Sequence, residues 1–425
     1  VAFENGTVQQ TTLPNGLVVV TETMPGVHSV SAGIWIRTGS RHEPYERSGI
    51  SHFIEHMLFK GTSRRRAEDI AREVDAVGGM VDAFTAKEMT CFNTRVLDEH
   101  LGSVFDVLAD MVLDPQFPED EISRERSVIL EEIRMVEDNP EDLVHEMFSR
   151  NLWGEHALGR PILGSMETVE GFDRQVLRDA FRAFYVPNNM VITAAGNISH
   201  QQLLDLVEPR FSACTGARTE HTETPPRPAA EILSRSKAEL EQVHVCVGVP
   251  ACSMTDSRRY AVAILNNILG SGMSSRLFQN IRERQGLAYA VFSEINHYRD
   301  AGMLCIYAGT SLETMGQLLS SVTAELRDLK QNGVTADELR RSKANLKGST
   351  LLSLESSGSR MSDLARQFLY FGNYTSPGER IAAMEAVTRE AVQQVAEEMF
   401  QPSQAAAAVL GNLNGFRLSA AQLDF

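Results

Sequence analysis

Apolar positions alternate with small or polar ones in several short runs, and recur every three or four residues in the stretches that follow. The first pattern predicts β-strands and the second amphipathic helices. "SVSAGIWI" and "CFNTRV" are strand candidates in the first half, and "VHVCVGV" and "MLCIYAG" in the second. A helical pattern follows each pair, "DEHLGSVFDVLADMV" and then "LETMGQLLSSVTAELRDL". Further on, "DRQVLRDAFRAF" runs into "YVPNNMVITAAGN", and "REAVQQVAEEM" runs into "FQPSQAAAAVLGN". Each of these is a helix that stops at a proline, then a strand of small residues, then Gly-Asn.

The paired elements are displaced by roughly 212 to 215 residues, a period too long for a solenoid, so the chain reads as two copies of one unit. Between the copies lies "TGARTEHTETPPRPAAE", poor in apolar residues and rich in Thr and Pro, which is a linker by composition. The expected division is a first domain over 1–214, a linker over 215–231 and a homologous second domain over 232–425. Strands in separated pairs, with helices between and after them, predict an α+β fold. Each domain is expected to be a mainly antiparallel sheet with helices on one face.

The balance of 40 basic against 56 acidic residues gives a net charge of −16, which argues against a nucleic-acid partner and suits a basic peptide. The five cysteines form no Cys-x-x-Cys pair, and Cys91, Cys246 and Cys305 sit in strand-like runs, so buried reduced thiols are expected. No apolar run approaches membrane-spanning length, and the polar opening shows no secretory-signal pattern. These features lead us to expect a cytoplasmic protein with no membrane partner.

One segment departs from the packing pattern. In "SGISHFIEHMLFKGTS", Ile50, Phe53, Ile54, Met57 and Leu58 recur at helical spacing, and His52, Glu55 and His56 interrupt them. On a helix His52 and His56 stand one turn apart on one face, close enough to share a metal ion. Glu55 is placed to hold a water beside that ion and accept its proton. A catalytic zinc needs a third protein ligand. The helix pattern in "FPEDEISRERSVILEEIRMVEDNP" offers Glu125, Glu131, Glu132 and Glu137. Glu125 and Glu132, seven residues apart, share a face, whereas Glu131 points about 100° away from Glu132. Shifted by the repeat period, His52 and His56 fall near Leu265 and Leu269, and Glu132 falls between Asn345 and Ser349. The second copy thus keeps the packing and lacks the ligands.

Together these residues resemble the pitrilysin family of zinc metallopeptidases, and among them the bacterial enzymes similar to the mitochondrial processing peptidase. The resemblance spans the chain through "SGISHFIEHMLFKGTSRR", "VDAFTAKEMTCFNTRV", "ERSVILEEIRMVEDNPED", "LGRPILG" and "IRERQGLAYAV". It implies a metallohydrolase fold of the processing-peptidase type. It implies one Zn2+ per chain on His52, His56 and Glu132, with Glu55 as general base and Glu125 orienting the site from behind the ligands. It also implies that Arg282 and Tyr289, from the inactive second domain, reach the substrate; read without it, Tyr289 is a buried strand aromatic. "GGMVDAFTAKEMT" is similar to the family's edge strand, on which Ala83 and Phe84 take the peptide as an added strand; Asp82 stands there where asparagine is common. The expected activity is zinc-dependent endopeptidase cleavage of peptides or unfolded segments inside a closed chamber built by a homodimer. The rivals are a non-catalytic assembly subunit and a metal-binding subunit without turnover.

Overall fold

The computed structural model describes residues 7–218 and 224–425; the first six residues, and positions 219–223 of the expected linker, lie outside them. The first sheet consists of β1 (Val8–Thr12), β2 (Val18–Thr23), β3 (Ser29–Ile36), β4 (Met80–Thr85), β5 (Thr90–Leu97) and β6 (Met190–Gly196). Its spatial order is β1-β2-β6-β3-β5-β4, with β2 and β6 parallel and the other neighbours antiparallel. The second sheet holds β7 (Ile232–Ser236), β8 (Val243–Ala251), β9 (Ala290–His297), β10 (Gly302–Thr310) and β11 (Ala406–Gly411). Its order, β7-β11-β8-β10-β9, is that of the first sheet without β1, and the single parallel pair falls at the same place. The duplication expected from spacing is therefore matched strand by strand in topology.

The helices in the first half are α1 (Ile50–Leu58), α2 (Ala67–Asp75), α3 (Leu101–Leu113), α4 (Glu119–Asp138), α5 (Pro140–Trp153), α6 (Met166–Glu170), α7 (Arg174–Phe184) and α8 (His200–Phe211). In the second half they are α9 (Arg259–Leu269), α10 (Met315–Asn332), α11 (Ala336–Ser353), α12 (Ser357–Tyr370), α13 (Pro377–Glu385) and α14 (Arg389–Met399), with a π-helical stretch at Phe278–Arg284. The fold is α+β, as expected. No helix of the described residues is long and apolar enough to cross a membrane.

The compact units differ from the contiguous division at 1–214 and 232–425. Among the described residues, one unit comprises 7–134, 161–218 and 351–376, and the other 135–160, 224–350 and 377–425. Each thus takes one helix from the opposite half of the sequence. In the first unit α12 lays Met361, Leu364 and Phe368 over Trp35, Cys91 and Val191. In the second, α5 lays Leu143, Val144 and Phe148 over the face that carries Cys246, Cys305 and Tyr307. Both sheets are therefore covered on two faces, not one. That is why β6, β10 and β11 are buried at every position and read as small or apolar runs without clean alternation. Gly248 makes the close seating of α5 possible, since a Cβ there would meet the Phe148 ring at 2.6 Å.

Candidate metal centre

Helix α1 forms where the sequence pattern places it because one side is wholly committed to the core. Ile50, Phe53, Ile54, Met57 and Leu58 are all fully buried, each contributing about 2 kcal/mol of transfer free energy. The start of α1 depends on Gly49, whose φ of 94° is left-handed and whose Cβ, if present, would lie 2.5 Å from the Leu163 carbonyl oxygen. No residue at the cap donates a side chain. Instead the buried Glu43 carboxylate accepts the backbone N–H of Gly49 at 2.7 Å and of Ser51 at 2.8 Å, satisfying amides that the helix itself leaves open. With α1 anchored in this way, His52, Glu55 and His56 point away from the core.

His52 and His56 come together as expected, their ring centroids 4.6 Å apart. Helix α4 brings in Glu132, whose Oε2 lies 3.7 Å from Nε2 of each histidine. All three donor atoms lie within 4.8 Å of one another. Tetrahedral zinc with bonds near ~2.1 Å needs its donors roughly 3.4 Å apart, so a slight contraction suffices. The donor set, two imidazoles and a carboxylate, fits zinc with an open fourth position. Burial, and then the neighbouring His56, lower the pKa of His52 to about 3, so its ring is neutral and one nitrogen keeps a lone pair.

Glu125 lies behind this trio. Its Oε2 accepts His56 Nδ1 at 3.0 Å and its Oε1 accepts Lys60 Nζ at 2.6 Å. A proton on Nδ1 leaves the lone pair of His56 Nε2 facing Glu132 and His52. The other two candidate ligands on α4 stand elsewhere. Glu131 is exposed and paired with Arg134 at 2.8 Å, and Glu137 belongs to the second unit, where it pairs with Arg235 at 2.8 Å.

Glu55 is buried beside the trio. Burial pushes its carboxyl pKa up, opposed by a hydrogen bond that the Thr85 hydroxyl donates to Oε2 at 2.5 Å. Thr85 is the last residue of β4, and β4 is an edge strand paired only with β5. Ala83 and Phe84 lie on this strand. Phe84 is 42 % exposed, and the Ala83 N–H is taken by Asp82 Oδ1 at 2.9 Å. Thr85 and Lys60 are functional partners that sequence reasoning missed. Lys60 is one turn beyond His56, a visible signal, but its target Glu125 is far away in the chain and no local pattern points to it.

Arg282 and Tyr289 lie in the second unit. The Arg282 guanidinium stands over the rings of Phe278 and Tyr289, at 4.7 and 4.9 Å. Tyr289 is 79 % exposed and precedes β9, so the reading of it as a buried strand aromatic is wrong: the chain has not yet entered the sheet. In the second copy, Leu265 and Leu269 lie fully buried on α9.

The chain is similar to known proteins along most of its length. Residues 18–166 match the insulinase family (peptidase family M16), and residues 171–346 match the peptidase M16 inactive domain. An uncharacterized zinc protease of Bacillus subtilis, YmxG, is 44% identical over 95% of this chain and 98% of its own length. One from Streptomyces coelicolor is 41% identical over 93% of this chain and 87% of its own. In fold, the chain is similar to a protease from Helicobacter pylori, with a TM-score of 0.88 at 22% identity over 96% of this chain and 100% of that one.

Proposed function

The chain belongs to peptidase family M16, the insulinase or pitrilysin family, and from that premise we propose that it is a zinc-dependent endopeptidase acting on extended peptides. His52 Nε2, His56 Nε2 and a Glu132 oxygen would hold the ion. When bound there, zinc supplies Lewis acidity, polarising water and the scissile carbonyl. Glu55 takes the proton of the attacking water and returns it to the departing amine nitrogen. Its raised pKa suits a group that must first gain and then lose a proton. Glu125 keeps His56 in the tautomer and orientation a ligand needs.

The peptide is taken as a further strand on β4, through the backbone of Ala83 and Phe84. One observation carries this reading: Thr85, at the end of that open edge, is hydrogen-bonded to Glu55, which shares α1 with His52 and His56. The edge that would seat a peptide therefore ends at the group that would activate water. We assign Tyr289 to the oxyanion and Arg282 to a peptide carbonyl; the exposure of Tyr289 and the stacking of the two side chains support this. The relatives named zinc proteases support zinc as the metal. The reading is tested by cleavage of an internally quenched basic peptide, with bound zinc measured on the same sample. Cleavage supports it, and zinc without cleavage favours a metal-binding subunit.

The acidic edge gives a second expected result. Asp82 places a carboxylate on β4 at the Ala83 amide, within a chain of net charge −16. Asp82→Asn should reduce the preference for a basic over a neutral peptide several-fold in kcat/KM, and the reduction should shrink at high salt. Paired assays at two ionic strengths check this. An unchanged preference means that the edge does not select by charge.

A further inference from the structure

Beneath α5, the second unit holds a donor cluster that peptide cleavage does not use. Cys246 on β8 faces Tyr307 of β10, and Cys305 of β10 faces Gly248 of β8 and Glu294 of β9. Cross-strand partners share a face, and so do residues two apart on one strand, so Cys246, Cys305 and Glu294 all lie on the face that α5 covers. Both cysteines are free thiols, exposed by 1% or less. His145 comes down from α5, its ring stacked on Tyr307 at 5.3 Å and on Phe292 at 6.2 Å. Its Nδ1 donates to the Glu141 carbonyl oxygen at 2.7 Å; burial lowers the ring's pKa, but Cys305, that carbonyl and Glu294 outweigh it and raise it to about 9, so without a metal Nε2 also carries a proton. Nε2 is buried, with no well-formed hydrogen bond among the described residues and the Cys305 thiol beside it. This atom and the two sulfurs lie within 4.8 Å of one another, and Glu294 Oε1 lies 3.8 Å from Nε2.

Two buried thiols alone are ordinary core residues. A buried imidazole nitrogen that sits beside both sulfurs without a well-formed hydrogen bond is not, since such a group is costly to leave unsatisfied. We propose that His145, Cys246 and Cys305 form a second metal centre, which takes a thiophilic divalent cation of the zinc type. Two sulfur–metal bonds and one nitrogen–metal bond form as the two thiol protons and the Nε2 proton leave to solvent. Two thiolates and a neutral imidazole then cancel the charge of the ion, as an apolar surround requires. A monovalent copper ion would leave a buried negative charge. Water completes the coordination. The ion clips α5 to β8 and β10. This matters because residues 135–160 join the second unit from between two segments of the first.

Cobalt(II) loading of the full chain tests the proposal without relying on peptidase activity. The centre on α1 has no sulfur donor, so a sulfur-to-cobalt charge-transfer band can come only from thiolate ligation. The expected result is such a band in the wild type, lost in the Cys246→Ser/Cys305→Ser variant. If that variant fails to fold, His145→Gln keeps both thiols and should weaken metal uptake at the cluster at least about tenfold, the smaller effect known for outer-shell partners. Absence of the band in the wild type, its survival without the two cysteines, or a Cys246–Cys305 disulfide in the isolated protein would overturn the proposal.

Discussion

Glu55→Gln should keep its zinc and lose cleavage of a quenched basic peptide by about a hundred- to ten-thousandfold, the usual contribution of a positioned general base. The substitution preserves shape and the hydrogen bond from Thr85, which the amide oxygen still accepts. Glu55 is not among the three donors His52, His56 and Glu132, so removing its charge leaves the metal ligands in place. A purely structural Glu55, buried on α1, would give the opposite pattern, because a neutral amide there would leave the rate unchanged. Equal rates in the two proteins would remove Glu55 from the mechanism.

The second large effect separates two neighbouring carboxylates. Glu132→Gln should weaken zinc binding by about a hundredfold or more, since losing a ligand costs no less than losing its supporting partner. Glu131→Gln should stay within about twofold, because Glu131 is 62% exposed and paired with Arg134, a contact of little energetic weight. Uptake in competition with a chelating dye, in the Cys246→Ser/Cys305→Ser background, makes this centre alone report. Equal losses in both variants would place the third ligand elsewhere.

Much of this site was legible from residue spacing. The His-x-x-Glu-His order on an amphipathic helix put two imidazoles on one face, and the repeat marked where the same helix carries leucines. Spacing alone left four carboxylates of α4 open, because helix phase relates them to one another and not to α1. The partners that tie the site together, Glu43 to the α1 amides, Thr85 to Glu55 and Lys60 to Glu125, join residues whose contact arises only in three dimensions. The division into units was misread for a related reason. The apolar stripes of α5 and α12 show that each helix covers something, but a stripe does not say which sheet. Both helices complete the unit other than the one that their position in the sequence suggests. Tyr289 was misplaced because "LAYAVF" reads as one continuous strand, whereas β9 begins only at Ala290.

The account stands on a metal held by His52, His56 and Glu132 and used for peptide cleavage. Its most direct test is a single assay on chelator-stripped protein, before and after zinc is returned. We predict no cleavage of the quenched peptide without metal, recovery with zinc in the wild type, and no recovery in Glu132→Gln. Cleavage that persists unchanged in the stripped protein would contradict it.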